Sequence, residues 1–138
     1  MIEFFDSSAL LKRYVDEPGS AQVDALLATD AERAVSAITH TEVACALARR
    51  VSNTTRLLGQ LSDDLKSPLH VAITDEVIAM SVALGVKHRL RGCDALQLAA
   101  AVSLKKAAGR PVRFICADED LNVAARAEGL AVVDPGRA

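Results

Sequence analysis

Val112-Arg113-Phe114-Ile115-Cys116-Ala117-Asp118-Glu119-Asp120 is an apolar run that ends in an acidic turn, and Leu121 to Glu128 continues at helical spacing up to Gly129. A short apolar run bounded by polar turn residues reads as a buried strand, and Gly suits the left-handed position after a helix. The unit is therefore strand, acidic turn, helix. The start of the chain repeats it: Met1 to Phe5, then Asp6-Ser7-Ser8, then Leu10, Leu11, Tyr14 and Val15 at helical spacing, stopped by Pro18-Gly19.

Between these two units the pattern alternates. Ser20 is placed to cap a helix with Val23, Leu26 and Leu27, and Ala34 to Ala37 reads as a short strand. Thr39 opens a helix to Arg50 with Val43, Leu47 and Val51 on one stripe, and Thr54 to Leu65 forms another. After Pro68 comes a strand at Leu69 to Ile73, then a helix over Asp75 to His88 capped by Thr74. Ala95 to Val102 is apolar on nearly every face, the pattern of a helix buried in mid-fold, and Leu130 to Val133 is a last strand. Strands that alternate with helices, without hairpin signals, predict an α/β fold: one parallel sheet of about five short strands with helices on both faces.

In such a sheet the C-terminal ends of the central strands gather along one edge, where α/β folds bind ligands. Asp6 and Asp118 end two of the apolar runs, Glu42 lies in the first turn of the helix opened by Thr39, and Asp94 begins the most apolar helix. Each has a purely structural explanation. Thr39-His40-Thr41-Glu42 fits a capping box, and Asp6, Asp94 and Asp118 could cap helices or complement their dipoles. Together the four favour a metal site: an unpaired carboxylate on a buried helix is costly to desolvate, and a cation removes that cost. Three or four carboxylates without His or Cys suit Mg²⁺ or Mn²⁺, and the chemistry such ions serve best is phosphodiester hydrolysis.

Composition excludes some classes and leaves others open. The chain has 138 residues and is 51% hydrophobic, enough for one compact domain. No uncharged run approaches the ~18 residues of a membrane span, and the start carries Glu3 and Asp6 where an export signal would be basic. Cys45, Cys93 and Cys116 form no CxxC and read as reduced core residues, and His40, His70 and His88 lack zinc spacing, so a cytoplasmic location is expected. The net charge of −2 decides little, because setting aside four of the 18 acidic residues as metal-bound leaves 14 against 16 basic ones, a balance of +2. Aromatics make up only 3% of the chain, too few for a base-stacking platform, so a nucleic acid would be held mainly by its backbone.

Four segments carry a family resemblance: Asp6-Ser7-Ser8-Ala9-Leu10 with Lys12, Ser36 to Glu42, Leu90 to Ala99 around Asp94, and Ala117 to Leu121. In this order they resemble the motif blocks of PIN-domain ribonucleases, above all VapC-type toxins of toxin-antitoxin pairs. The resemblance implies a PIN-like nuclease domain over residues 1–134 and a C-terminal tail at 135–138. It implies a Mg²⁺- or Mn²⁺-dependent endoribonuclease, a homodimer and a VapB-type antitoxin, with Asp6, Glu42, Asp94 and Asp118 as catalytic metal ligands. It also implies in-line attack of water that leaves a 5′-phosphate and a 3′-hydroxyl. The chain departs from the pattern at Cys116, where many relatives carry a hydroxyl residue, and at Cys93, where many carry Tyr.

Other residues admit two readings. Ser7 could hydrogen-bond a metal-bound water or only cap the next helix, and Asp120 could join the site or sit exposed at a helix start. Lys12 and Arg91 are candidates for RNA phosphates or solvated surface charges, whereas helix dipoles account for Arg49-Arg50 and Lys105-Lys106. Leu10, Leu11, Tyr14, Leu26, Leu27, Leu57, Leu58 and Leu61 could leave a groove for an antitoxin helix, although plain core accounts for most of them. Two other classes remain, a catalytically silent PIN-like binding module and a phosphoacceptor receiver domain. The receiver would need an early acidic pair and a Lys on a late strand, and the sequence offers neither.

Overall fold

A computed structural model describes residues 1–136. Five strands, β1 (Ile2–Phe5), β2 (Arg33–Ser36), β3 (Leu69–Val71), β4 (Val112–Ile115) and β5 (Ala131–Val133), form one sheet in the order β3-β2-β1-β4-β5. Every neighbouring pair is parallel, as the alternating pattern requires. The helices are α1 (Ser7–Leu10), α2 (Ser20–Leu27), α3 (Thr39–Arg50), α4 (Thr55–Asp64), α5 (Asp75–His88), α6 (Gly92–Ala108) and α7 (Glu119–Ala127). No helix among the described residues is long and apolar enough to cross a membrane.

Side chains alternate across the strands and divide the core in two. Ile2, Phe4, Ala34, Val112 and Phe114 face α5, α6 and α7, and the Phe4 and Phe114 rings stack 5.8 Å apart. Phe5, Val35 and Ile115 face the other way, against Leu10 and Tyr14 near α1, Val23 of α2, Val43 and Leu47 of α3, and Leu61 of α4. The leucines considered for an antitoxin groove belong to this second core: Leu10, Tyr14 and Leu61 are buried, and Leu11, Leu26, Leu27, Leu57 and Leu58 pack against them.

Glu3 is the exception in the central strand, a carboxylate whose side chain is only 2% exposed. The register sets it beside Arg33 on β2 and Arg113 on β4, and the Arg113 guanidinium donates to Glu3 Oε2. Removing one partner of such a pair leaves a buried charge unmatched, which is far costlier than losing a surface ion pair. Arg113→Met is therefore expected to destabilise the fold by about 3 kcal/mol. A urea titration checks this, and a change below about 0.5 kcal/mol contradicts it.

Several local expectations shift. The first helix stops as a 3₁₀ turn at Leu11–Arg13, short of Pro18. Gly19, at φ 96°, occupies the N-cap of α2, and Ser20 is its first residue, with its hydroxyl accepting from Glu17 N and donating to Val15 O. A side chain at position 19 would strike the Pro135 backbone, since its Cβ would lie 2.7 Å from Pro135 C. Thr74 caps α5 as expected, through Val77 N at 3.2 Å. Of the cysteines only Cys116 is in the core; Cys45 and Cys93 are exposed, because both lie on outward faces of helix turns. Tail residue Pro135 is buried, and Gly136 N donates to Gln22 Oε1; residues 137 and 138 lie outside the described range.

Candidate active site

The right-handed crossovers of a parallel sheet bring each strand's C-terminal end to one edge, and four helices start there. β1 runs into Asp6 before α1, β4 runs through Cys116 and Ala117 into Asp118 before α7, and Glu42 and Asp94 lie in the first turns of α3 and α6. One cleft is lined by all four acids together with Ser7, Ser8, Leu11, Val43, Ala46 and Arg49. Residues separated by as much as 112 positions, from Asp6 to Asp118, thus share one concave surface.

The capping explanation holds for two acids and fails for two. Asp6 Oδ2 accepts from Ser8 N at 3.1 Å, and Asp118 Oδ1 accepts from Leu121 N at 3.0 Å, so both are N-caps. Glu42 forms no capping box. Ile38 is the N-cap of α3, Thr39 is buried within the helix, and Glu42 Oε1 instead accepts from Ser7 Oγ at 2.8 Å and Gln97 Nε2 at 2.7 Å. Asp94 caps nothing either, since α6 starts from Arg91 without a side-chain cap.

Burial also falls differently from the sequence expectation. Asp6, not Asp94, is the buried acid, at 4% exposure, while Asp94 is half-buried at the open end of α6. Burial raises the Asp6 carboxyl to about 6, against the pull of bonds from Ser8 and Cys116, and Asp94 adds to the rise. Asp94 is itself held above the usual carboxylate range by desolvation, then by the charges of Asp118 and Glu42, with Arg91 opposing them. These mutual effects mark a cleft with an excess of negative charge.

Cys116 and Ser8 hold the two strand ends together. Ser8 Oγ donates to Asp6 Oδ2 and accepts from Ala117 N at 3.1 Å, which ties the end of β1 to the loop after β4. The Cys116 thiol lies 3.4 Å from Asp6 Oδ2 and accepts from Asp118 N, so a thiol, not a hydroxyl, braces both acids here. Burial, then the Asp6 charge, pushes that thiol far above its ordinary range. Cys93 is exposed, yet desolvation and the neighbouring Glu42 and Asp94 raise its thiol as well.

The secondary candidates separate. Ser7 belongs to the cleft through its bond to Glu42. Asp120 is exposed on α7, in a different depression beside His88 and Arg89. Lys12 is drawn away by Glu17 at 3.2 Å and by Pro18 O at 2.7 Å, and Arg91 is exposed before α6 without lining the cleft. Sequence reasoning missed Gln97, Thr39, Ser8 and Arg49. Gln97 had a signal, an amide within an otherwise apolar stretch one helical turn after Asp94; Arg49 was read only as a partner for a helix dipole.

The oxygens present suit a hard divalent ion. Among the described residues no three acidic, His or Cys side chains already converge on a common point, so this is not a closed protein cage. Mg²⁺ does not need one, since it keeps several waters and takes one or two carboxylates. Asp6 and Asp118 each have one oxygen tied to the protein and the other uncommitted, and the unbalanced charge around Asp6 and Asp94 favours a cation. A more enclosed cavity, lined by Tyr14, Arg13, Arg33 and Asp64, lies apart from the acids. Within it Tyr14 Oη donates to Asp64 at 2.8 Å and Arg13 contacts Asp64 at 3.7 Å, while Arg33 donates to Leu26 O at 3.0 Å.

Comparison with known proteins agrees with this architecture. A curated set of proteins gives no match. Among solved structures, a toxin-antitoxin complex from Klebsiella pneumoniae has a TM-score of 0.68 at 22% identity, over 96% of this chain and 97% of that one. FitAcB from Neisseria gonorrhoeae has a TM-score of 0.66 at 19% identity, over 100% of both chains. VapBC2 from Rickettsia felis, bound to a DNA fragment from its promoter, has 0.65 at 11% identity, over 97% of this chain and 98% of that one. At these identities the likeness is one of fold. The sequence profile of the PIN domain matches residues 4–127, nearly the whole chain, a span that contains the four acidic positions. The protein belongs to the PIN-domain family.

Proposed function

We propose that this PIN domain is a metal-dependent endoribonuclease and the toxin of a VapBC-like toxin-antitoxin pair. The observation that carries the reading is the cleft itself, which Asp6, Glu42, Asp94 and Asp118 line from four separate segments, with Asp6 buried beside the charge of Asp94. All four acids are present, so nothing favours a silent binding module.

Each residue has a definable task. Asp6, Asp94 and Asp118 offer oxygens to Mg²⁺ or Mn²⁺, and Glu42, held from its other side, completes the acidic wall. When bound, such an ion supplies Lewis acidity toward a phosphoryl oxygen and makes water acidic enough to act as a nucleophile near neutral pH. Ser8 and Cys116 fix the Asp6 carboxylate, and the Asp118 cap fixes the direction of that side chain. Among the described residues no His lines the cleft, so the carboxylates themselves hold and pass the protons of the reaction. Arg49, exposed at the rim of the cleft, is the cation best placed to meet a neighbouring RNA phosphate.

The partners belong to the same reading. Several neighbours in fold are named as toxin-antitoxin assemblies, which supports a VapB-type antitoxin for this chain. A homodimer would find apolar surface on α5, where Ile78, Val82 and Val86 form an exposed stripe. The deciding experiment is cleavage of a defined RNA by the purified protein with Mg²⁺ or Mn²⁺ and with EDTA. EDTA is expected to abolish cleavage, and the products to carry a 5′-phosphate and a 3′-hydroxyl. A 2′,3′-cyclic phosphate, or full activity in EDTA, overturns the proposal.

A further inference from the structure

Resting on the metal-site reading, we infer that Gln97 is a positioning residue that sets Glu42 for the cation, through an amide clamp shared with Ser7. Gln97 is 0% exposed, on the second turn of α6, and its Nε2 lies 2.7 Å from Glu42 Oε1, 2.9 Å from Ser7 Oγ and 3.0 Å from Thr39 Oγ1. Its Oε1 has no partner. A fully buried amide with an unmatched carbonyl is destabilising, and Leu or Met would fill the same space without that cost. Stability alone therefore does not explain a glutamine here; its use lies in the N–H groups aimed at Glu42.

The consequence for Glu42 is geometric. Its Oε1 accepts from both Gln97 and Ser7, which uses both lone pairs of that oxygen. With Oε1 taken and the exposed Cys93 thiol also bonded to this carboxylate, Oε2 is the oxygen left to face a cation, so Glu42 is a one-oxygen ligand, acting directly or through water. Since Asp94 and Gln97 are three residues apart on α6, one rigid helix sets an acid and the clamp on its partner acid. Outer partners that orient a metal's ligands commonly account for 10–100-fold in affinity.

The test is a double-mutant cycle read by Mn²⁺ binding to the full-length protein, followed by electron paramagnetic resonance, with thermal melts establishing that each variant is folded. Gln97→Met is expected to raise the Mn²⁺ dissociation constant about 10-fold or more, and to add no further loss in a Glu42→Gln background. At saturating RNA the same change lowers kcat and leaves KM unchanged. Wild-type Mn²⁺ affinity in Gln97→Met, or an equal loss in both backgrounds, overturns the clamp and leaves the nuclease reading standing. Absence of Mn²⁺ binding by the wild-type protein overturns both. If Gln97→Met does not fold, the cycle is run with Ser7→Ala, which removes the other donor to Glu42 Oε1 from a half-buried site. A loss that persists in the Glu42→Gln background then overturns the clamp.

Discussion

Asp6→Asn and Asp94→Asn are each expected to lower metal-dependent RNA cleavage by at least about 10³-fold without unfolding the protein. The size follows from the work assigned to the cation: charge stabilisation of several kcal/mol at the phosphate, at about 1.4 kcal/mol per factor of ten. Both changes keep the size and hydrogen-bonding shape of the side chain, so Asp6→Asn can still accept from Ser8 N. They remove the charge that, on the proposed reading, draws the cation into the cleft. Single-turnover cleavage of a defined RNA, paired with a melting curve for each variant, checks the prediction. If either variant cuts RNA at the wild-type rate, the assignment of the site fails.

The second large effect concerns stability and runs in the opposite direction. Asp6 has an ordinary value of 3.8 when unfolded and about 6 in the folded chain. Below pH 3.8 the residue is protonated in both states and costs nothing. As pH rises from 3.8 to about 6 the unfolded state gives up its proton first, so stability falls through that window and stays lower above it. At 1.36 kcal/mol per pH unit the penalty at pH 7 to 8 is about 3 kcal/mol in the absence of metal. Asp6→Asn should therefore melt higher than the wild type in EDTA at pH 8, by up to about 10 °C, and the gap should close toward pH 4. Added Mn²⁺ should raise the wild-type midpoint and leave the variant's unchanged, because a ligand stabilises the state that binds it. A gap that is absent or widens toward low pH contradicts the placement of Asp6. A substitution that ends activity and raises stability would mark Asp6 as a residue kept for function.

The sheet was legible in the sequence because hydrophobic period and turn chemistry agreed along the whole chain. Each expected strand forms, and the two apolar runs read as central, β1 and β4, lie inside the sheet; which strands flank them was not legible. The four acids were legible for a related reason: the ends of parallel strands share an edge, whatever their spacing in sequence. What stayed hidden depends on side-chain direction. Thr39 to Glu42 fits a capping box at the level of residue types, yet the competing bond from Gln97 turns Glu42 toward the cleft. Asp94 was expected to be the buried acid because its helix is apolar, but a residue in the first turn remains near solvent while Asp6, at the end of the central strand, is covered. The bracing of both acids by Cys116 was equally hidden, since a thiol on a strand reads as core whichever way it points.

The strand order also has a consequence for timing. Among the described strands β1 is made before β4, the neighbour that brings Asp118 to the side of Asp6. At roughly 5–20 residues per second, several seconds separate the synthesis of Asp6 from that of Asp118. The cleft has no wall on the β4 side during that interval, and a chain halted before residue 112 carries three of the four acids without a place for them to meet. On the proposed reading as an RNA-cutting enzyme, the order of synthesis leaves the site without its fourth acid until β4 and the turn after it have been made.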